Sequence, residues 1–196
     1  MAIYLILKTC LERMMDQQIV DQLAKDILSL FEAEAPSREN VGIRGTELIQ
    51  EFIQKPGVGE SLAKLDISKK IRLWGSQGSG MQILLHGADT PKKSSPHDHG
   101  QSWALYFQVS GATEMSTYRR ISGSPGRPGQ AVLEKTDQTD LTPGNAMFFG
   151  PLVIHSTQHS APPARWIRVT GTDLDYVERL RFSIERQEAV IEKRYR

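Results

Sequence analysis

The sequence predicts a mainly β fold, an antiparallel barrel or jelly roll, that follows a group of N-terminal helices. Helical periodicity, with apolar residues at three- and four-residue spacing, occupies about the first third of the 196-residue chain. After Leu65, short runs rich in Ile, Val, Thr, Phe, Tyr and Trp alternate with Gly and Pro clusters, which is typical of short strands joined by turns. A closed barrel directs side chains from several strands into one interior, so it suits a site built from distant parts of the sequence.

The helices are predicted from this periodicity and from the residues that interrupt it. One helix is expected from about Thr9 to Glu34, and Ala35-Pro36-Ser37 ends it. The serine of that tripeptide is the predicted N-cap of a second helix, from about Arg38 to Gln54. Lys55-Pro56-Gly57 ends this second helix, and Glu60 to Leu65 predicts a further turn or two.

Eight strands are predicted in the rest of the chain. They lie near Lys70–Trp74, Met81–His86, Ser102–Val109, Thr113–Ile121, Ala131–Gln138, Ala146–Phe149, Ile154–Gln158 and Trp166–Thr170. A loop rich in Gly and Pro at 123–129 is the predicted tip of a hairpin, and the tail from Asp173 to Arg196 is charged and partly helical in pattern. We therefore expect a helical segment at 1–66 that packs on the barrel, the barrel at 67–175, and a charged tail at 176–196 within the same domain.

Composition excludes several classes of protein. The net charge is +1 and no basic patch dominates, so a nucleic-acid partner is not expected. The sole cysteine, Cys10, excludes an internal disulfide and any Cys-rich zinc or iron–sulfur site. The apolar run at the N-terminus is too short to span a bilayer and has no basic residues before it. A soluble, cytoplasmic protein without a membrane partner is the expectation.

His97-Asp98-His99 is the most informative motif of the chain, because it holds two of only five histidines. On an extended strand, residues i and i+2 point to the same face, so both imidazoles would project into one cavity. Neutral imidazole nitrogens suit iron, zinc, copper or nickel. Gly100 and a long apolar strand follow the motif, which favours a metal site over a solvated strand face.

A third ligand is expected from later in the chain. His155, 56 residues beyond His99 (155 − 99), is the predicted ligand, and His159 is the alternative. His86 alternates with apolar residues and is predicted to be a satisfied core histidine. Three histidines without a carboxylate leave the charge of a divalent ion uncompensated and leave positions open for an anionic substrate and oxygen or water. That arrangement points to catalysis, since a structural ion is normally enclosed by four protein ligands.

Three motifs together resemble the cupin superfamily, and within it the thiol (cysteine) dioxygenase branch. The strongest is Ser94-Ser-Pro-His97-Asp-His99 with Gly111 twelve residues after the second histidine. The others are Arg72 followed by Gly78-Ser79-Gly80, and Pro143-Gly144 followed by His155. The resemblance covers roughly Lys70 to Asp175 and implies the double-stranded β-helix (jelly-roll) barrel of cupins.

The resemblance also implies a cofactor and a chemistry. It implies a mononuclear Fe(II), bound by His97, His99 and His155, that uses O2 to oxidise a thiol to a sulfinate; zinc or nickel could replace the iron in purified protein. The family arginine binds the substrate carboxylate and Arg72 matches it, although a strand-edge surface charge is the alternative reading. Tyr106 could orient a ligand in the cavity or belong to ordinary barrel packing. Cupin barrels often pair through strands, so the resemblance suggests a homodimer.

The sequence departs from the animal thiol dioxygenases at two places. Ala104 stands where those enzymes carry a cysteine cross-linked to a tyrosine, and Trp166–Thr170 replaces their Ser-x-His-x-Tyr strand. Arg168 and Thr170 would then share the strand face of the lost histidine and tyrosine, so Arg168 adds a second inward cation and favours an anionic substrate. The expected function is an Fe(II)-dependent dioxygenase acting on a small carboxylate, which could be a thiol. The alternatives are a different three-histidine cupin oxygenase that cleaves carbon–carbon bonds, and a cupin that binds metal or a small ligand without turnover.

Overall fold

The computed structural model of the protein describes residues 17–31, 34–65, 70–76, 79–159 and 162–192. Its helices are α1 (Gln17–Ser29), a π-helix (Arg38–Arg44) that continues directly into α2 (Gly45–Gln54), and α3 (Val58–Lys64). The predicted helices are confirmed, although the expected start of the first one at Thr9 lies outside the described residues. No helix in the described ranges is long and apolar enough to cross a membrane.

Ser37 is the N-cap of the second helical segment, as the sequence predicts, and the cap is reciprocal. The amide of Asn40 donates to the Ser37 hydroxyl at 3.2 Å, and the amide of Ser37 donates to the Asn40 side-chain oxygen at 2.7 Å. This exchange satisfies backbone donors that the first turn of a helix leaves without partners. Gly57, in the left-handed region at φ 77°, precedes α3, where a residue with a Cβ would be strained.

The strands are short and entirely antiparallel in their pairing. They are β1 (Ile71–Ser76), β2 (Ser79–Ala88), β3 (Lys92–Lys93), β4 (Ala104–Ser110), β5 (Thr113–Arg120), β6 (Gly129–Gln130), β7 (Leu133–Leu141), β8 (Ala146–Phe149), β9 (Ile154–His159), β10 (Ala164–Thr170), β11 (Arg179–Ser183) and β12 (Glu188–Glu192). All eight predicted strands are confirmed with boundaries shifted by a few residues. The 123–129 loop joins the paired strands β5 and β7, as expected of a hairpin tip.

Strand pairing defines a jelly roll. One sheet has the order β1-β2-β10-β4-β8 and the facing sheet has the order β3-β9-β5-β7. Eight strands form the barrel when β1, the short β6, β11 and β12 are set aside. The first of the eight pairs with the eighth (β2 with β10), the second with the seventh (β3 with β9), the third with the sixth (β4 with β8) and the fourth with the fifth (β5 with β7). This nested pairing is a long antiparallel ribbon wound into a barrel, which is the jelly-roll arrangement. The predicted fold class is confirmed.

The helices cover the outer face of the five-stranded sheet. Alternate residues of its central strands pack with the helices in one buried cluster, which includes Ile83, Leu85, Leu105, Phe107, Ile167 and Val169 from the sheet and Ile27, Ile49, Phe52 and Leu62 from the helices. Trp103 belongs to the same cluster and lies against Phe31 with ring centroids 5.5 Å apart. Because side chains alternate along a strand, the residues between these positions point into the barrel.

The C-terminal segment forms a hairpin, β11 and β12, so the helical character predicted for the tail is wrong in its described part. Leu180 and Phe182 alternate with arginines in β11, and both are buried in a small core with Ala189. The hairpin makes a third sheet with β6 and also bonds to the segment before β4, where the amide of Phe182 donates to the carbonyl of Pro96 at 2.8 Å. The C-terminal segment, predicted to be a charged tail, therefore borders the His97–His99 motif.

Candidate metal centre

His97 and His99 lie in an extended segment between β3 and β4, beside β9. The backbones of His97 and His155 exchange two hydrogen bonds, each 2.9 Å from amide nitrogen to carbonyl oxygen. This isolated antiparallel bridge holds the segment against β9 and places His155 next to the pair that the sequence predicts to share a face. The fold thus brings together residues that are 56 positions apart (155 − 99) in the chain.

The three imidazoles converge on one point. One nitrogen from each of His97, His99 and His155 lies within 4.8 Å of the others, and no carboxylate of the described residues belongs to this group. The ring centroids of His155 lie 4.6 Å from those of His97 and 4.7 Å from those of His99. Nitrogen ligands sit about 2.1 Å from a zinc-like ion and hence up to about 4.2 Å apart, so the spacing is close to that of a coordinated ion.

Hydrogen bonds fix the orientation of two of these rings. Nδ1 of His97 donates to the carbonyl of Ser95 at 2.9 Å, and Nδ1 of His155 donates to the carbonyl of Val153 at 3.2 Å. These bonds select the tautomer that leaves a lone pair on Nε2. Nε2 of His155 is buried and has no hydrogen-bond partner among the described residues. Metal-binding histidines typically use this arrangement, so the three residues fit a bound ion.

Burial keeps the three histidines neutral. It lowers the pKa of His97 to about 4, and it lowers the pKa of His99 and His155 well below the ordinary value. The neighbouring histidines and the positive charge of Arg168 lower the pKa of His99 and His155 further. Neutral rings at physiological pH are the form that binds a metal.

Asp98 points away from the histidines and fixes the segment that carries them. Its carboxylate is buried and accepts hydrogen bonds from the amides of Gly100 at 3.0 Å and Leu180 at 2.9 Å. Gly100 adopts φ 57°, and a Cβ there would lie 2.3 Å from the carbonyl oxygen of Glu178. This role of Asp98 was not predictable from its own motif, because its partner strand β11 was not predicted.

Arg168 is a cation on the inner face of the barrel. In the register of β10 it lies opposite Tyr106 of β4 on one side and Leu84 of β2 on the other. The side chain is half-buried, and its Nε is a buried atom without a hydrogen-bond partner in the described part of the chain. The hydroxyl of Tyr106 lies 3.4 Å from Nε2 of His99. Arg168 and Tyr106 therefore occupy the barrel interior directly beside the three histidines.

Arg72 lies on β1, the edge strand of the five-stranded sheet. Register places it opposite Leu84, but its side chain is about one-third exposed and its guanidinium lies 3.5 Å from the carboxylate of Asp173. A carboxylate of the protein thus competes for this cation. The predicted contact of Arg72 with a substrate carboxylate stays a prediction.

The remaining two histidines stack on Trp166 and do not belong to the metal-ligand cluster. His159, the alternative third ligand, shares the inner face of β9 with His155 but stacks on Trp166 with centroids 4.2 Å apart, and its Nδ1 lies 2.9 Å from the Thr113 hydroxyl. His86 stacks on the same indole at 5.4 Å, and its buried Nε2 has no hydrogen-bond partner in the described ranges. His86 therefore lies outside the metal-ligand cluster, as predicted, but the prediction that its hydrogen bonds are satisfied is wrong for Nε2.

The position of the family cross-link is also visible in the register. Ala104 of β4 lies directly opposite Thr170 of β10, and these are the positions that the resemblance aligns with the cross-linked cysteine and tyrosine. Neither side chain can form that thioether bond.

Comparisons with known proteins add fold neighbours only. No family model matches the sequence, and no curated protein matches it. Similar solved structures include KdgF from Halomonas sp., with 15% identity, a TM-score of 0.41, and coverage of 56% of this chain and 84% of that one. A cupin superfamily protein from Desulfitobacterium hafniense DCB-2 has 14% identity and a TM-score of 0.40 over 56% of this chain and 84% of its own. The Cnp3 cupin domain from Schizosaccharomyces pombe has 7% identity and a TM-score of 0.42 over 57% and 72%. The jelly-roll assignment rests on the strand pairing of this chain, and these similarities do not indicate a reaction.

Proposed function

We propose that this protein is a mononuclear Fe(II)-dependent dioxygenase of the cupin type, similar to thiol dioxygenases, that oxidises a small carboxylate substrate with O2. The observation that supports it most is the pairing of a neutral three-histidine cluster with an inward arginine whose buried Nε has no hydrogen-bond partner among the described residues. A purely structural ion would have no need of such a cation beside it. An anionic substrate would satisfy both the ion and the arginine.

The three histidines would hold the iron, with Nδ1 of His97 and His155 anchored to backbone carbonyls. When bound, Fe(II) supplies a redox-active centre with open coordination positions for substrate and O2. Asp98 acts through the backbone: by accepting the amides of Gly100 and Leu180 it keeps both flanking imidazoles pointing inward. This preorganisation reduces the reordering that metal binding requires.

Arg168 is the residue best placed to bind the substrate carboxylate. A guanidinium pairs a carboxylate through two parallel hydrogen bonds, and burial strengthens that interaction. Arg72 is a weaker candidate because Asp173 already lies beside it. The comparable acid, Asp175, interacts with Arg168 through its charge but forms its ion pair with Lys70, and Nε of Arg168 has no hydrogen-bond partner among the described residues.

Tyr106 has the geometry to orient the substrate. It is 3% exposed, lies opposite Arg168, and places its hydroxyl beside His99. Phe149 stacks on His155 with centroids 4.1 Å apart and closes that side of the cluster with an apolar ring. The hydroxyl can therefore donate a hydrogen bond to a substrate held between Arg168 and the histidines, in surroundings that exclude water.

Oxygen uptake by anaerobically purified, Fe(II)-loaded protein tests the proposal. Cysteine and 3-mercaptopropionate carry a carboxylate, whereas cysteamine is a matched thiol without one. We expect uptake and a sulfinate product, identified by mass spectrometry, with the two acids but not with cysteamine. Arg168→Gln should raise KM for the acids about 100-fold, as expected for the loss of a buried charged contact, and Arg72→Gln should change it much less. If none of the three thiols promotes oxygen uptake, the thiol part of the proposal is wrong.

A different three-histidine cupin oxygenase, which cleaves carbon–carbon bonds in diketones or aromatic acids, is the second candidate. It is favoured by the Ala104–Thr170 pair and by Arg168 on the strand that carries the Ser-x-His-x-Tyr motif in thiol dioxygenases. A broad oxygen-uptake screen of such acids separates the two. Stoichiometric metal binding with no uptake in either assay would instead support a non-catalytic binding protein.

A further inference from the structure

Three residues that point into the barrel lie side by side on neighbouring strands, in the row next to the one that contains Arg168. His86 of β2 pairs with Trp166 of β10, and Trp166 pairs with Gln108 of β4. The row that contains Arg168 consists of Leu84, Arg168 and Tyr106, and each of its residues lies two positions along the strand from the corresponding residue of the second row. The two rows are therefore about 6.8 Å apart, and their side chains point to the same face of the sheet. The second row is therefore a continuation of the interior that Arg168 faces.

Both ends of this row carry buried polar atoms with unfilled hydrogen-bonding capacity. Nε2 of His86 and Oε1 of Gln108 have no hydrogen-bond partner in the part of the chain that the structure describes, and the same holds for Nε of Arg168. The Gln108 amide has a fixed orientation, because its Nε2 donates to the carbonyl of Ser110 at 2.8 Å. Since buried polar atoms nearly always have partners, three such atoms within two adjacent rows indicate a missing polar ligand.

The chemistry of the three atoms restricts that ligand. Nε of Arg168 can only donate a hydrogen bond, Oε1 of Gln108 can only accept one, and Nε2 of His86 can do either according to its tautomer. A ligand that satisfies them needs an acceptor, best an anionic one, together with a donor such as a hydroxyl or N–H group. The carboxylate of 3-mercaptopropionate supplies only the acceptor at this end of the molecule. The three atoms together therefore fit an acid that carries a hydrogen-bond donor in addition to its carboxylate.

We propose that Arg168, Gln108 and His86 form an inner subsite that binds the polar end of an acid carrying a hydroxyl or N–H donor close to its carboxylate. The carboxylate binds Arg168, the donor group binds Oε1 of Gln108, and Trp166, the register neighbour of both Gln108 and His86, lines the subsite. The inference that such an acid is the substrate rests on the proposed function. The binding itself needs no metal, so it can be measured separately.

Calorimetric titration of the full chain, stripped of metal with EDTA, tests the subsite with matched acids. The probes are malonate and tartronate, succinate and malate, and glutarate and 2-hydroxyglutarate, pairs that differ by one hydroxyl. In at least one pair we expect the hydroxy acid to bind about 3- to 10-fold more tightly, the range of one net hydrogen bond. Gln108→Met should abolish that preference and leave the affinity of the parent diacid unchanged. Gln138→Met, at an exposed glutamine of β7, should preserve the preference.

Arg168→Met is the second variant, and it should abolish binding of both acids of the preferred pair. If Gln108→Met does not fold, as judged by circular dichroism, the preference of the wild type and the Arg168→Met result decide the matter. Equal affinities within every pair, a preference that survives Gln108→Met in folded protein, or no binding of any acid would each overturn the inference. Selective binding by a protein that takes up no metal would support the subsite and overturn only the proposed function.

Discussion

Acidification should destabilise the protein through His159, and the structure sets the size of the effect. This imidazole is 2% exposed and packs flat against Trp166. Burial, with a smaller contribution from the positive charge of Lys92, lowers its pKa to about 4 in the folded protein. In the unfolded chain a histidine titrates near pH 6.5. The folded state therefore disfavours the protonated ring, and its stabilising contribution is complete above about pH 6.5 and falls as the pH drops toward 4.

The expected loss at pH 5 follows from proton linkage. Between pH 6.5 and pH 5 the unfolded chain binds nearly one more proton at this position than the folded protein, and each pH unit costs about 1.4 kcal/mol. The free energy of unfolding should therefore fall by about 2 kcal/mol from this residue alone. His159→Gln removes the titrating group while keeping a side chain able to hydrogen-bond the Thr113 hydroxyl.

Urea unfolding at pH 7.5 and pH 5.0, followed by circular dichroism in the presence of EDTA, measures this contribution. Chelation excludes metal release as a cause, and comparison with the variant cancels the titration of the other histidines. We expect the loss of stability between the two pH values to be about 2 kcal/mol smaller in His159→Gln than in the wild type. An equal loss in both proteins would refute the linkage of this residue to folding.

Three further outcomes follow from the structure. Adding Zn²⁺ at 100 times its dissociation constant should stabilise the wild type by about 2.7 kcal/mol and raise its Tm by about 5 to 10 °C. The Tm shift should be lost in His155→Ala and retained in His159→Ala, and equal shifts in both variants would contradict the assignment of ligands. Asp98→Ala should lower the free energy of unfolding by about 2 to 4 kcal/mol and reduce the metal content, relative to Asp98→Asn, whose side chain can still accept hydrogen bonds. Equal values in the two variants would contradict the proposed role of Asp98. Gly111→Ala should lower the free energy of unfolding, measured in urea, by about 2 to 4 kcal/mol, because a Cβ at φ 68° would lie 2.4 Å from the carbonyl oxygen of Pro163. An unchanged urea midpoint would contradict this and show that the loop accommodates the methyl group.

The helical and the β halves of the fold were predictable from the sequence because their periodicities differ. Three- and four-residue spacing holds through α1 and α2, and alternation holds through β4 and β10. The convergence of His97 and His99 was predictable for the same local reason. The strand pattern alone does not distinguish His155 from His159, since both side chains share one face of β9. The bridge between His97 and His155 is what brings His155 to the cluster.

The C-terminal hairpin and the residues around Arg168 were harder to predict. In β11 two apolar side chains alternate with arginines, a pattern too short to distinguish from a charged helix. Missing that strand concealed the role of Asp98, whose partner amide comes from Leu180. Gln108 gave no signal of its own, because a glutamine in a strand usually faces solvent; only the register of β4 and β10 places it in the interior.

Metal analysis of anaerobically purified protein is the most direct test of the central claim, that three remote imidazoles bind a single cation within the jelly roll. Elemental analysis should find about one transition-metal ion per chain in the wild type and in His159→Gln, and background levels in folded His97→Ala and His155→Ala. Background levels in the wild type after incubation with Fe(II), or equal occupancy in all four proteins, would contradict the account.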